Sequence, residues 1–150
     1  MQKQKKRRLS KCLFIGLTFC LATKVVANTD TWVANGDGTV TDVASGLIWQ
    51  QQDDSIARTQ ANAITYCQEL SLAGNNNWRL PNIKELTSIV DYRAENPSID
   101  AAAFPNTTSS GYWSASNRAS SLSAAWAVDF FRGLVLSGIK TSGLYVRCVR

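Results

Sequence analysis

Histidine is absent from all 150 residues. Its absence excludes histidine general bases, Ser-His-Asp triads and histidine metal ligands. No stretch is long and apolar enough for a standard membrane-spanning helix. There is no internal repeat and no linker. Acidic residues are missing from 1–27, which hold Lys3, Lys5, Lys6, Arg7, Arg8, Lys11 and Lys24. Outside that segment the balance reverses, with nine basic against eleven acidic side chains. The net charge of +5 is therefore a property of the first residues, and the body does not carry the basic pattern of a nucleic-acid binder. What is present is a 45% hydrophobic composition, enough for one core in a chain the length of one ordinary domain.

The basic start leads into the apolar run Cys12-Leu-Phe-Ile-Gly-Leu-Thr-Phe-Cys-Leu-Ala22, then Val25-Val26-Ala27. This order predicts a secretory signal peptide over 1–27, cleaved after Ala27, and a single domain over 28–150. An uncleaved N-terminal anchor is the competing reading. Phe19 before Cys20 argues against a lipoprotein signal, which wants a small residue there. Cleavage leaves Cys67 and Cys148, which have one intramolecular pairing in an oxidising compartment. Ala63, Ile64, Cys67 and Leu70 recur with helical spacing, and Leu144, Val146 and Cys148 alternate along a strand, so both thiols point to the core. Two free buried thiols, or a metal pair, remain the alternatives. Without histidine, two cysteines make a poor metal site.

Strands are expected over Trp32–Asn35, Thr39–Val43 and Leu47–Gln50, joined by Gly36-Asp-Gly38 and Ala44-Ser-Gly46. A first helix spans the region from Thr59 to Leu72, with its stop at Ala73-Gly74. A second begins at Asn82, with Glu85 as its capping-box partner and Ile83, Leu86, Ile89 and Val90 as its buried stripe. Period two returns at Tyr112–Ala115, Ala124–Phe131, Leu134–Leu136 and Leu144–Val149, with Trp126, Val128 and Phe130 on one face. Strands at both ends with helices between make an α+β domain.

Asn35-Gly-Asp-Gly-Thr-Val-Thr-Asp42, Gly46-Leu-Ile-Trp49, Tyr66-Cys67, Leu72-Ala-Gly74, Trp78-Arg79-Leu80-Pro81-Asn-Ile-Lys-Glu85-Leu86, Tyr112-Trp-Ser114 and Tyr145-Val-Arg-Cys-Val-Arg150 occur in that order. The ordered set resembles the bacterial family named for the C-terminal domain of the Lcl collagen-like adhesin. The Arg79-Leu80-Pro81 step into a helix is also similar to the formylglycine-generating enzyme superfamily. The resemblance implies a C-type-lectin-like fold, a mixed and mostly antiparallel sheet with two flanking helices. It also implies a disulfide from the first helix to the last strand, at Cys67 and Cys148. The family's named member implies adhesion and binding of glycosaminoglycan-type sugars. Calcium-dependent sugar binding is not expected: Glu95-Asn96-Pro97 has the wrong order for the lectin motif, and Trp-Asn-Asp does not occur.

No catalytic residue, metal ligand or cofactor is expected. Trp49, Trp78, Trp113 and Trp126 are assigned to packing, Arg79 to structural hydrogen bonding, and Asp91 and Asp129 to solvent or arginine partners. Loops on a rigid sheet are where binding residues sit, and Arg118, Arg132 and Lys140 are the only cations between Asn106 and Gly143. The candidate contacts are therefore Tyr112 as an aromatic platform, with Asn117, Arg118, Arg132 and Lys140. The expected function is an exported, non-catalytic binding or adhesion module in the periplasm or secreted, for an extracytoplasmic glycan, anionic in character, or a protein. A catalyst in the formylglycine-generating mould and a structural subunit of a surface assembly are the alternatives. Neither nucleic acid nor a membrane span after cleavage is expected.

Overall fold

The computed structural model describes residues 31–150. The segment expected to be a signal peptide lies outside the described residues. The chain is α+β. Strands β1 (Trp32–Ala34), β2 (Thr39–Asp42) and β3 (Ile48–Gln50) precede helices α1 (Gln60–Glu69) and α2 (Ile83–Ser88). Strands β4 (Gly111–Asn117), β5 (Ala124–Asp129) and β6 (Leu134–Ile139) follow. They form two antiparallel three-stranded sheets, β1-β2-β3 and β4-β5-β6. Among the described residues no helix is long and apolar enough to cross a membrane.

The expected last strand is not a strand. Residues 144–150 make only isolated bridges, because they divide their pairing between both sheets. Ile48 and Arg150 exchange N–H···O bonds of 3.0 and 2.9 Å, and Gln50 N–H donates to Cys148 C=O at 2.9 Å. On the other side Arg79 and Val149 exchange bonds of 2.9 Å. Further back, Trp113 N–H donates to Tyr145 C=O at 3.0 Å and Tyr145 N–H to Gly111 C=O at 2.9 Å, in parallel sense. This segment thus stitches the open side of β3 to the open side of β4. The single mixed sheet expected from the sequence resolves into two antiparallel sheets and this seam.

Period two does hold along the seam. Val146 and Cys148 face a core with Ala63, Cys67, Trp78, Leu80, Trp113, Ala125 and Ala127. Val149 and the partly buried Tyr145 face a second core with Val40, Trp49, Leu86, Phe104, Tyr112 and Phe130. The sheet β4-β5-β6 is covered on one face by α1 and on the other by α2. Cys67 and Cys148 are bonded, with Cα atoms 5.5 Å apart across 81 residues of sequence. Closing a loop of that length removes about 4 kcal/mol of unfolded-state entropy in chain models.

The helices start where their caps dictate. Thr59 accepts from the Asn62 N–H at the head of α1. At α2, Asn82 Oδ1 accepts from Glu85 N–H at 3.0 Å and Glu85 Oε2 accepts from Asn82 N–H at 2.8 Å, a complete capping box. The end of α1 differs from expectation. It stops at Glu69 with Leu70 extended, and Gly74 serves another turn. Ala73 (φ 52°) and Gly74 (φ 71°) form the two-residue loop of a tiny hairpin in which Leu72 and Asn75 exchange 3.0 Å bonds. Two successive positive φ values are what such a loop requires. Gly133, at φ 70°, turns β5 into β6 where an added Cβ would lie 2.6 Å from Val90 Cγ1.

Candidate functional site

The motif around Trp78 is structural. Trp78 and Leu80 are buried in the α1 core. Pro81 C=O accepts from Ala115 N–H at 2.7 Å, tying β4 to the head of α2. The Arg79 guanidinium grips Glu85 through two bonds of 2.7 and 2.8 Å. Those bonds, helped by Asn82 N–H, hold the Glu85 carboxyl below its usual range despite partial burial.

A buried charge centre lies beneath the seam, and reasoning from sequence missed it. Arg147 is fully buried. One end nitrogen donates to the Gln50 and Gln51 carbonyls, the other to Thr107 Oγ1 at 2.9 Å and Asp53 Oδ2 at 3.2 Å. Its Nε–H has no acceptor among the described residues. Burial pulls the guanidinium pKa down, and Tyr112 and Asp53 oppose that pull. Tyr112, expected as an exposed platform, is instead fully buried. Its hydroxyl donates to Asp53 Oδ2 at 2.5 Å and accepts from Thr108 N–H at 2.9 Å. Desolvation first, then the bond and charge of Asp53, push the phenol far above its ordinary pKa. Alternation places Tyr112 opposite Val128, on the core face, so it has no ring face to offer a ligand.

The four remaining candidates do not form one patch. Asn117 and Arg118 are exposed where β4 ends. Arg118 N–H donates to Ala124 C=O at 3.1 Å, and Lys140 N–H to Ser123 C=O at 2.9 Å, so Asn117, Arg118 and Lys140 share one end of the sheet. Arg132 lies in the β5–β6 turn at the opposite end, with its guanidinium 5.3 Å from the Phe131 ring. At about 3.3 Å per residue the length of β5 separates the two ends by roughly 17 Å. An antiparallel hairpin cannot place its turn beside its open end.

At the Arg118 end the sequence also undervalued Trp126. It is only partly buried, with the Arg118 guanidinium 5.9 Å from its ring. Arg118 Nη1 continues across β5 to donate to Ser137 Oγ at 3.2 Å, and Ser137 stands opposite Trp126 in the register. Trp126 lies two residues inside that end of β5, and with Ser137 and Arg118 as neighbours it joins neither core cluster. No acid lies within 4 Å of Arg118, Arg132 or Lys140 among the described residues. The arrangement offers two cations, Arg118 and Lys140, the Asn117 amide and the partly buried Trp126 indole toward one end of the sheet.

A cleft of about 540 Å³ lies elsewhere, between β1 and the end of α2, lined by Trp32, Ile89, Asp91, Arg93, Asp100 and Ala103. Both of its carboxylates are committed. Asp91 pairs with Arg93 at 3.0 Å, and Asp100 accepts from Ala102 and Ala103 N–H. Asp129 caps the Phe131 N–H of its own turn.

The model of a family described as the Lcl C-terminal domain matches residues 38–150. No curated protein matches the sequence.

Proposed function

The chain belongs to the Lcl C-terminal domain family, and on that premise we propose an exported, non-catalytic binding module of C-type-lectin-like fold, for an anionic glycan outside the cytoplasm. The observation that carries the reading is Arg118, an exposed residue whose guanidinium bonds Ser137 beside the partly buried Trp126. A sulfate or carboxylate accepts charge-assisted bonds from the guanidinium, the sugar ring lies on the indole, and Asn117 and Lys140 supply flanking donors. The Cys67–Cys148 bond supports residence in an oxidising compartment. Disulfide, seam and core keep the sheet rigid, so the ligand meets a preorganised end.

The test is binding of the mature protein to heparin and dextran sulfate, with uncharged dextran as control. Binding is expected to the two polyanions only, and to weaken as salt rises because exposed ion pairs are screened over about 8–10 Å near physiological ionic strength. Arg118→Ala should weaken it about tenfold at an unchanged melting temperature, with Arg132→Ala having a smaller effect. Unaltered binding by Arg118→Ala, or equal binding of dextran, refutes the reading.

A further inference from the structure

We propose that the outer edge of β6 is a docking site for an extended segment of a partner protein, apolar along its length and acidic at both ends. The seam closes the inner edges of β3 and β4, which leaves β1 and β6 as the outer edges of the described sheets. β1 has three residues; β6 has six. Lys140 N–H bonds back to Ser123, and the register pairs Gly138 with Ala125, Leu136 with Ala127 and Leu134 with Asp129. Antiparallel bonding alternates along the strand, so the main-chain groups of Val135, Ser137 and Ile139 point outward. Of these, Ile139 C=O accepts from Ser142 N–H, and the rest have no main-chain partner among the described residues.

Edge strands in folded proteins are blunted by charge, proline or a bulge. Leu134-Val-Leu-Ser-Gly-Ile139 has none of these, and its register with β5 is unbroken. Leu134, Val135 and Ile139 are 55%, 48% and 63% exposed. An added strand would satisfy the outward groups and cover these side chains, the mode by which sheets capture extended peptides.

Charge selects the occupant. Arg132 stands before β6 and Lys140 after it, and no acid occurs from residue 130 to 143. The nearby Asp129 carboxylate is turned back onto Phe131 N–H. A second copy pairing antiparallel along β6 would set Arg132 against the other copy's Lys140, like against like. A foreign strand with an acid at each end meets a cation at each end instead. The contact lies along the edge and shares only Lys140 with the glycan reading, which rests on Arg118.

The experiment titrates the mature protein with a seven-residue peptide of alternating valine and threonine closed by aspartate at both ends, and with the same peptide closed by lysine. Amide exchange at Val135, Ser137 and Ile139 is followed by NMR. The aspartate peptide should protect these three amides, and the lysine peptide should not. Val135→Pro removes one outward N–H at an edge position where proline is tolerated. It should weaken peptide binding about tenfold while heparin binding, which uses Arg118, is retained. If that variant does not fold, wild-type protein is titrated with the aspartate peptide N-methylated at alternate residues, which should fail to bind. Equal binding of the lysine peptide overturns the proposal. So does an absence of protection by either peptide, or protection that grows with protein concentration alone, which would make a second copy the occupant.

Discussion

Replacing Asp53 by asparagine should unsettle this domain more than its small change in shape suggests. Asp53 and Arg147 form an ion pair whose side chains are 1% and 0% exposed. Removing one partner of such a pair leaves an uncompensated buried charge and costs about 3–5 kcal/mol. Asp53→Asn leaves Arg147 its three other acceptors, which places it near the lower end, about 3 kcal/mol. Arg147→Met also strands the Gln50 and Gln51 carbonyls, and an unmet buried acceptor costs roughly 1–3 kcal/mol. It should therefore be the more damaging of the two. In the double variant neither charge remains to be stranded, so its loss should fall short of the sum of the singles by about 1–3 kcal/mol. Against a typical total stability of about 5–15 kcal/mol, each single change is large. Urea unfolding at pH 7, followed through the buried Trp49 and Trp113, measures all four proteins. Additivity within about 0.5 kcal/mol, or a single change costing under about 1 kcal/mol, refutes the assignment of a coupled buried pair.

Cys148→Ala should cost roughly 2–5 kcal/mol, seen as a lower melting temperature that reductant no longer shifts; an unchanged melting temperature counts against the disulfide. Glu85 gives a pH signature. Its folded pKa lies below the unfolded value of 4.5, so its contribution is present above that value and is lost as pH falls through the folded one. Glu85→Gln should therefore cost about 0.5–1 kcal/mol at pH 7 and progressively less as the pH is taken below 4.5, and a thermal-stability gap that does not shrink on acidification contradicts the ion-pair account.

Legibility from sequence followed how local the determining physics is. Asn82 and Glu85 reveal α2 because a capping box lies within four residues. Cys67 and Cys148 were both readable as core-facing because helical and strand periods each hold locally. The end of α1 was misplaced because Gly74 signals a positive φ without saying which turn uses it. Trp126 is only partly buried, which alternation did not reveal because β5 is buried on both faces, Ala125 and Ala127 on one and Ala124 and Val128 on the other. Alternation then carries no exposure information. Arg147 went unmarked because charged residues are rarely interior, although it alternates with Tyr145 and Val149 on an apolar face. The Arg118–Arg132 grouping failed for a reason that was available: a residue in a hairpin turn and one beyond its open end lie a strand length apart.

The seam has a bearing on how the domain comes into being. Synthesis delivers residues 144–150 after every other part of the fold. Until they arrive, the inner edges of β3 and β4 have no partner, and the pair Ile48–Arg150 must be found across about a hundred residues of chain. Contacts of such separation are slow to form, and unfilled edges invite pairing with other chains in the interval. Maturation of this domain is thus a race between seven residues and its neighbours, and a chaperone that guarded only those edges would suffice to decide it.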